Sequence, residues 1–358
     1  MAGNVKEARL FKIVENEKVI CTACARLCKL SNNQIGFCGV RKNIDGKLFL
    51  LVYGKVMACN IDPIEKKPVM HYMPGSRIFS IGTTGCSWAC MYCQNFDISQ
   101  RKEVAGIEML PEKIVEESLA NNCQGIAYTY NEPSIFTEFA SDTGNLAKKK
   151  GLFNIFVTNG YYTSDTINEI EKFLDCITVD FKGNANINFL RRYVLIPDNK
   201  PIFESLLSLS KIKKLHLEIT DLVIPKIGDD FKDCEILCKW IYDNLGPDIP
   251  IHFLRFHPDY KLLHLPNTPV ETLEKHYEIA RRIGFNYVYI GNVWGHKYEN
   301  TFCPSCNKIV VGRYGFFITS WNLDEKNRCK YCKYKVKISG KPPTRFERSN
   351  QTELPALA

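Results

Sequence analysis

The fold and chemistry of this chain are decided by residues 78–93, which read IFSIGTTGCSWACMYC. The apolar run 78–82 predicts a buried strand, and the glycine and threonine residues after it predict a loop. That loop carries Cys86, Cys90 and Cys93. Three thiolates are one fewer than the four that normally hold a [4Fe-4S] cluster, so a cluster bound here would keep one iron open for another ligand.

The spacing of these cysteines, C-x3-C-x2-C with Tyr92 before the last one, resembles the signature of the radical S-adenosylmethionine (SAM) superfamily. The resemblance implies a [4Fe-4S] cluster and SAM as cofactors. It makes Cys86, Cys90 and Cys93 the catalytic cluster ligands and places Tyr92 and Asn95 beside the SAM. A structural zinc knuckle or buried free thiols are the alternatives that the cysteines alone leave open.

Composition places the chain among large globular proteins. Its 358 residues are 45% hydrophobic, enough for a sizeable core and one or two small additional modules. No apolar run approaches the roughly 20 residues of a membrane span, and residues 1–9 do not resemble a signal peptide. Eleven of the sixteen cysteines fall into tight groups typical of metal ligands rather than disulfides. We therefore expect a cytoplasmic protein without a membrane partner.

The sequence pattern divides the chain into four segments. Residues 1–75 contain short apolar stretches and turn residues, and predict a cysteine-rich N-terminal module with short strands. Residues 76–298 alternate apolar strands with amphipathic helices, and form the predicted catalytic core. Residues 299–340 predict a module like a zinc ribbon, and the proline-containing residues 341–358 predict an irregular tail.

Strand and helix alternation in the core predicts an α/β fold with a parallel sheet. The spacing of apolar residues over 163–174, behind a Ser164 or Asp165 cap, typifies the helices. Six or seven such units suit a partial or full (β/α) barrel, the radical SAM type of barrel that the resemblance implies, with its chemistry at the C-terminal strand ends. The predicted strands are 78–82, 125–130, 154–158, 176–181, 214–219, 249–253 and 287–290.

Two strand ends carry motifs similar to superfamily elements that contact SAM. Asn131 and Glu132, followed by Pro133, resemble a Gly-Gly-Glu-Pro element without its glycines, and the resemblance implies a contact with the SAM amino group near Glu132. A helix cap is the alternative interpretation. Thr158 and Asn159, followed by a glycine, are similar to the element that approaches the SAM ribose in the related activases.

Two further strands complete this series. Asp180 and Lys182 resemble the Asp-x-Lys element of the activases, and the resemblance implies that the lysine lies near the SAM carboxylate. His252 resembles a histidine on a strand that faces the SAM. A hydrogen-bonded core histidine is the alternative for His252.

A wider resemblance covers the chain from about Cys21 to Cys332. Its segments are similar to the radical SAM enzymes of the AmmeMemoRadiSam system, which are relatives of pyruvate formate-lyase activating enzymes. The resemblance implies Memo-like and AMMECR-like partners and a reductant protein of the ferredoxin or flavodoxin type. The substrate stays open among protein, RNA and small molecules, and a glycyl-radical activase is the second enzymatic hypothesis. The matching segments include 60–68, 73–76, 80–83, 93–95, 98–100, 127–133, 180–183 and 291–293.

A second cysteine group lies near the C-terminus. Two C-x2-C pairs are separated by 22 residues, which is the spacing of the two knuckles of a zinc ribbon. Four thiolates would close the site and make it structural, with a rubredoxin-like iron as the alternative to zinc. The four ligands are Cys303, Cys306, Cys329 and Cys332.

A third group lies near the N-terminus. Cys21, Cys24, Cys28 and Cys38 offer four thiolates in a spacing that matches no single template. Zinc, an auxiliary [4Fe-4S] cluster and no metal all remain open for this group. His71 could replace one ligand, but we expect it to be a surface histidine.

The positive charge is concentrated at the C-terminal end. Residues 301–358 hold eleven Lys or Arg against four acids, so they carry +7 of the net charge of +8. Attraction for RNA or an acidic protein therefore belongs to this region, and a solvated basic face is the simpler interpretation. A nucleic-acid or protein binding module is accordingly the hypothesis from a different functional class.

Overall fold

Short antiparallel strands form the N-terminal part of the computed structural model, which describes residues 5–15, 17–101 and 103–341. Within the described part, β6 lies between β1 and β5 in one sheet, and β3 lies between β2 and β4 in another. Strands of two to four residues cannot bury a large core, which suits a small module. The strands are β1 (Lys6–Glu7), β2 (Phe11–Ile13), β3 (Val19–Cys21), β4 (Lys29–Leu30), β5 (Arg41–Ile44), β6 (Lys47–Leu50) and β7 (Lys55–Val56).

One large sheet of eight strands follows. Its strands are β8 (Ala58–Pro63), β9 (Arg77–Gly82), β11 (Gly125–Tyr128), β12 (Phe153–Thr158), β13 (Cys176–Lys182), β14 (His216–Val223), β15 (Ile251–Arg255) and β16 (Val288–Gly291). The short β10 (Ile107–Glu108) lies outside this sheet and pairs with β7. The order across the sheet is β16, β15, β14, β13, β12, β11, β9, β8. Pairing is parallel from β9 to β16 and antiparallel between β8 and β9.

Helical segments connect the parallel strands, as side-by-side parallel strands require. They are α1 (Phe96–Ser99), α2 (Pro111–Ala120), α3 (Thr137–Lys149), α4 (Ser164–Ile170), α5 (Ile187–Phe189), α6 (Lys200–Leu209), α7 (Phe231–Leu245) and α8 (Val270–Ile283), with a π-helical turn at Leu190–Val194. Short 3-10 turns lie at Ile64–Lys66, Pro133–Phe136, Gly183–Ala185 and Lys297–Glu299. No helix within the described ranges has the length and apolarity needed to cross a bilayer.

The sheet confirms the predicted α/β fold, and all seven predicted core strands are present with ends displaced by no more than four residues. Because β8 and β16 lie at opposite edges of the described sheet, the architecture is an open, partial barrel. The predicted cap at Ser164 or Asp165 is wrong. Thr163 is the N-cap: its backbone is extended, and its hydroxyl accepts a hydrogen bond of 3.3 Å from the Thr166 amide.

A C-terminal antiparallel sheet packs on the β16 edge of the large sheet. Its strands are β17 (Thr301–Phe302), β18 (Ile309–Tyr314) and β19 (Phe317–Trp321). Tyr287, directly before β16, and Tyr289, within it, belong to the hydrophobic cluster of this module. Arg313 also donates a hydrogen bond of 2.9 Å to the carbonyl of Met70. Apart from Lys341, the predicted tail lies outside the described residues.

Candidate active site

The loop after β9 brings the three predicted cluster ligands to the C-terminal edge of the sheet. Cys86, Cys90 and Cys93 are partly buried free thiols. Among the described residues, their sulfurs are not all within 4.8 Å of one another. One zinc ion with Zn–S bonds of about 2.3 Å would hold them about 3.8 Å apart. As they stand, the three sulfurs therefore do not form a site for a single metal ion.

Backbone hydrogen bonds support this loop on two sides. The amides of Ala89 and Met91 donate to the carbonyls of Val194 and Tyr193 over 3.1 and 2.9 Å, and the Lys261 amide donates to the Met91 carbonyl over 2.9 Å. The π-helical turn therefore serves as an edge partner for the cysteine loop. The loop is consequently fixed by main-chain contacts that do not depend on a bound cluster.

Side-chain amides from the neighbouring strand end hold the start of the loop. Asn131 donates hydrogen bonds of 2.7 Å to the Gly85 carbonyl and 3.1 Å to the Thr83 hydroxyl, and its oxygen accepts from the Thr83 amide. Asn95 donates to the Tyr130 carbonyl over 2.9 Å. The predicted SAM-site residues Asn131 and Asn95 thus join the β11 end to the cysteine loop.

Glu132, which follows β11, connects the ends of β11 and β12. Its buried carboxylate accepts hydrogen bonds from the amides of Ser134 and Asn159 and from the Thr158 hydroxyl, at 2.8–3.0 Å. Burial raises the pKa of Glu132 to about 7, and the donated hydrogen bonds act against this shift. Asn159 in turn donates a hydrogen bond of 3.2 Å to the Ser87 hydroxyl. Glu132 therefore ties the end of β11 to the end of β12 and also caps the 3-10 turn at Pro133–Phe136.

The end of β13 supplies a cation beside the cysteines. Lys182 Nζ lies 3.2 Å from the Asp180 carboxylate, which also accepts a hydrogen bond from Thr220. Burial and the neighbouring Cys93 raise the pKa of Cys90 to about 12, and the Lys182 charge acts in the opposite direction. The Lys182 ammonium is therefore positioned to attract an anionic group brought to this loop.

Tyr92 faces the interior beneath the loop. It is buried, its ring packs against Phe189 and Phe256 at centroid distances of 5.9 and 6.5 Å, and its hydroxyl makes no hydrogen bond to any described residue. These contacts fix the aromatic position of the cysteine motif by packing. Its predicted proximity to SAM stays a prediction.

His252 lies in a different polar cluster. Its imidazole is 2.7 Å from the Glu218 carboxylate and stacks on the Tyr289 ring. His71 is completely buried and is 2.6 Å from the Tyr289 hydroxyl, so the expectation of a surface histidine is wrong. The Met70 and His71 amides also donate to Glu218, which satisfies this buried carboxylate. The contact of His252 with SAM stays a prediction.

Sequence analysis missed two buried acids on β14. Glu218 organises the histidine cluster, and Asp221 is fully buried with one oxygen accepting from the Asn184 amide over 3.1 Å. Burial raises the pKa of Asp221 to about 7. The signal was present, because charged residues inside an otherwise apolar strand are rarely buried without a specific role.

The C-terminal cysteines form a compact tetrad. The sulfurs of Cys303 and Cys332 are 3.5 Å apart, those of Cys306 and Cys329 are 3.7 Å apart, and all four lie within 4.8 Å of one another. These separations match the roughly 3.8 Å expected between thiolates around one tetrahedral zinc ion. The arrangement can hold a single metal ion, as the sequence spacing predicts.

The N-terminal cysteines are also brought together. The Cys21 amide donates a hydrogen bond of 3.0 Å to the Cys28 carbonyl, and Cys24 lies close enough to Cys21, Cys28 and Cys38 for their charges to interact. All four are free thiols.

Comparisons with known proteins identify the superfamily of this chain. The model of the radical SAM superfamily matches residues 80–241. An uncharacterised protein of Methanocaldococcus jannaschii is 41% identical over 337 residues, covering 93% of this chain and 99% of that protein. The chain belongs to the radical SAM superfamily. Membership in this superfamily supports the interpretation of the protein as an enzyme that uses an iron-sulfur cluster and SAM.

Two more distant similarities complete the comparison. Another M. jannaschii protein, provisionally named a glycyl-radical enzyme activating enzyme, is 26% identical over 162 residues, covering 44% of this chain and 60% of that protein. A radical SAM methyltransferase from Sphaerobacter thermophilus has a TM-score of 0.48 and 14% identity, covering 61% of this chain and 67% of that structure.

Proposed function

We propose that this protein cleaves SAM reductively through a [4Fe-4S] cluster held by Cys86, Cys90 and Cys93. With one iron left open to the methionine part of SAM, such a cluster would supply one electron for cleavage of the sulfonium, giving methionine and a 5'-deoxyadenosyl radical for hydrogen abstraction from a substrate. The proposal rests above all on the cysteine loop, which lies at the C-terminal edge of the sheet with Asn131, Asn159 and Lys182 around it.

The chain's own residues would bind and orient SAM. Lys182 would attract the SAM carboxylate, since it is the cation that acts on Cys90 and Cys93. The segment at Glu132 would meet the SAM amino group, and Thr158 with Asn159 would lie along the ribose. His252 belongs to this series by resemblance, with its Glu218 contact fixing the ring.

The direct test is SAM cleavage by anaerobically reconstituted protein. Dithionite and SAM should release 5'-deoxyadenosine from the wild-type protein, and Cys90→Ala should release none. Cys123→Ala is the matched control, because Cys123 is buried outside the three cysteine groups. A correctly assembled cluster that releases no 5'-deoxyadenosine would refute the proposal.

A structural zinc ion at the C-terminal tetrad is the second part of the proposal. The mutual sulfur distances support it, and four protein thiolates would leave no open position for catalysis. Elemental analysis of protein purified without added metal should find about one zinc per chain, lost in Cys306→Ser/Cys329→Ser. Stoichiometric iron in place of zinc would support a rubredoxin-like site instead.

A glycyl-radical activase is the alternative within the same chemistry. The provisional name of the second M. jannaschii relative favours it. An activase would leave a stable glycyl radical on a partner protein, which electron paramagnetic resonance (EPR) detects directly. Turnover with a small molecule or RNA as the hydrogen donor, and no protein radical, would exclude it.

Partners form a separate proposal, supported by the AmmeMemoRadiSam resemblance. We expect a ferredoxin- or flavodoxin-type protein to supply the electron, and Memo-like and AMMECR-like proteins to act with this enzyme. Anaerobic co-purification after co-expression tests the association. Mass spectrometry of the complex before and after turnover would then show which component changes.

The basic C-terminal module suggests binding of RNA or an acidic protein as the alternative of another class. Lys330, Tyr331, Lys333 and Lys335 are exposed there. RNA binding by the full chain should weaken steeply with salt and should fall in Lys330→Glu/Lys333→Glu. The control is Lys200→Glu, a charge reversal on the exposed face of α6. No RNA binding at low salt would leave an acidic protein as the remaining partner class.

A further inference from the structure

The N-terminal cysteines lie directly against the catalytic loop. An ideal Cβ placed on Gly85 would lie 2.2 Å from the carbonyl oxygen of Cys38, and Gly85 immediately precedes Cys86. Arg26 donates a hydrogen bond to the Ser87 carbonyl, and its charge interacts with Cys24, Cys28 and Cys86. A group held by the N-terminal cysteines would therefore be a close neighbour of any group held by the catalytic loop.

The sulfur spacing argues against a single ion at this position. In the described part of the chain, no three of these four sulfurs lie within 4.8 Å of one another, whereas the C-terminal tetrad meets that limit. One tetrahedral zinc ion requires about 3.8 Å between its thiolates. A cubane places each thiolate on a different iron, so its ligands stand further apart. The N-terminal group shares this wider spacing with Cys86, Cys90 and Cys93.

The surrounding charge suits a polynuclear thiolate site. Arg41 is 1% exposed, and its positive charge acts on Cys21 and Cys38. Its guanidinium is held by Glu138 and by the Ile135 carbonyl over 2.8 Å. The Glu138 carboxylate offsets part of the Arg41 charge, and Arg26 is a second cation beside these cysteines. Positive charge at this position would favour a net negative cluster.

The position also connects the surface with the interior. Cys28 and Cys38 are partly exposed, and they lie in a segment that includes the exposed apolar residues Leu27, Ile35 and Phe37. Cys21 and Cys24 are buried. A redox group here would have an outer side open to a donor and an inner side next to the catalytic loop.

We propose that Cys21, Cys24, Cys28 and Cys38 hold an auxiliary [4Fe-4S] cluster beside the catalytic loop, rather than zinc. Four protein thiolates would complete its coordination, so this cluster would bind no SAM. This inference goes beyond the proposed function, because the auxiliary cluster can assemble without any SAM cleavage. In this position, the auxiliary cluster would relay one electron from the external reductant to the catalytic site.

The decisive variant keeps the N-terminal ligands and removes the catalytic ones. After anaerobic reconstitution with iron and sulfide, wild-type protein should contain about eight irons and Cys86→Ala/Cys90→Ala/Cys93→Ala about four. Cys24→Ala/Cys38→Ala should also retain about four. The control Cys234→Ala/Cys238→Ala, which removes two buried cysteines of α7, should retain about eight.

EPR adds a test of proximity. The reduced wild-type spectrum should show broadening by spin coupling that is absent from the sum of the two single-cluster variants. A triple variant that binds zinc or no metal at the N-terminal group, while circular dichroism shows it folded, would overturn the inference. The triple variant lacks the catalytic ligands and should release no 5'-deoxyadenosine whether or not the auxiliary cluster exists. Its iron content therefore tests this inference alone, and SAM cleavage by the wild-type protein tests the proposed function.

Discussion

The side-chain amide of Asn131 donates a hydrogen bond of 2.7 Å to the carbonyl of Gly85, the residue directly before the first cluster cysteine. With its two contacts to Thr83, it fixes the point where β9 passes into the loop. The loop geometry therefore depends on a residue that follows another strand, β11, and lies 46 positions later in the chain.

Replacement of Asn131 by alanine should loosen the cysteine loop. The buried groups left without partners should lower the free energy of unfolding by about 1–3 kcal/mol. The iron retained after reconstitution and the rate of SAM cleavage should both fall. Asn121→Ala, which removes a local contact at the end of α2, should leave both unchanged. Equal activity of the two variants would show that Asn131 does not position the loop.

Gly85→Ala tests the close approach of the N-terminal module. Gly85 has a φ of +89° and would place a Cβ against the Cys38 carbonyl, whereas Gly151 has a φ of +79° with nothing within 4 Å. Gly151→Ala should cost only the backbone strain, roughly 1–2 kcal/mol. Gly85→Ala should cost more and should also lower cluster content. Thermal unfolding and iron analysis of both variants measure the difference.

Lys182→Gln should weaken SAM use. Loss of a charge-assisted contact of about 1.5–3 kcal/mol corresponds to a fall of roughly 10- to 100-fold in kcat/KM. Lys182→Arg should recover part of it, because the charge remains. Lys200→Gln, on the exposed start of α6, provides the control. An unchanged KM and kcat in Lys182→Gln would remove Lys182 from the SAM site.

Asp221 should make stability depend on pH. Its pKa of about 7 lies above the ordinary 3.8. Between these values the folded chain holds a proton that the unfolded chain has lost, so stability falls as pH rises through this window. Asp221→Asn keeps an acceptor for Asn184 and should be more stable than wild type above pH 7, by about 1.4 kcal/mol per unit of pKa difference.

Denaturant unfolding at pH 5 and pH 8 measures this effect. The advantage of Asp221→Asn should be larger at pH 8 than at pH 5. Asp243→Asn, an exposed position of α7, should change stability equally at both values. A constant difference between Asp221→Asn and wild type would contradict the raised pKa.

Loss of the proposed metal from the C-terminal tetrad should destabilise the large sheet as well as the module. Tyr287 and Tyr289 pack in the same hydrophobic cluster as Cys303 and Cys329. Cys306→Ser should therefore lower the Tm and increase amide hydrogen exchange in β16. Exchange in β11, which lies five strands from β16 across the sheet, serves as the internal control. Loss of metal without faster exchange in β16 would show that the two parts are independent.

Local motifs explain what the sequence predicted well. One loop carries Cys86, Cys90 and Cys93, and the strand before it is an apolar run. Both the strand and the loop can therefore be predicted from neighbouring residues alone. The two C-x2-C pairs of the C-terminal tetrad were predicted for the same reason. The strand ends moved by a few residues because hydrogen bonds to neighbouring strands set them.

Long-range polar contacts explain what prediction from the sequence missed. His71 is buried because Tyr289, 218 positions away, and the Lys337 carbonyl, 266 positions away, both hydrogen-bond to its ring. Glu218 is satisfied by the amides of Met70 and His71. Periodicity reports which face of an element is apolar, but it carries no information about which distant polar groups meet there.

The C-terminal module constrains the order in which the nascent chain can fold. Tyr72 pairs with Ser339, and Met70 accepts a hydrogen bond from Arg313. During synthesis, residues 70–73 must wait for more than 240 further residues before these partners leave the ribosome. The cysteine loop at Cys86 is translated early, so a growing chain exposes its thiols long before the sheet edge behind it is sealed.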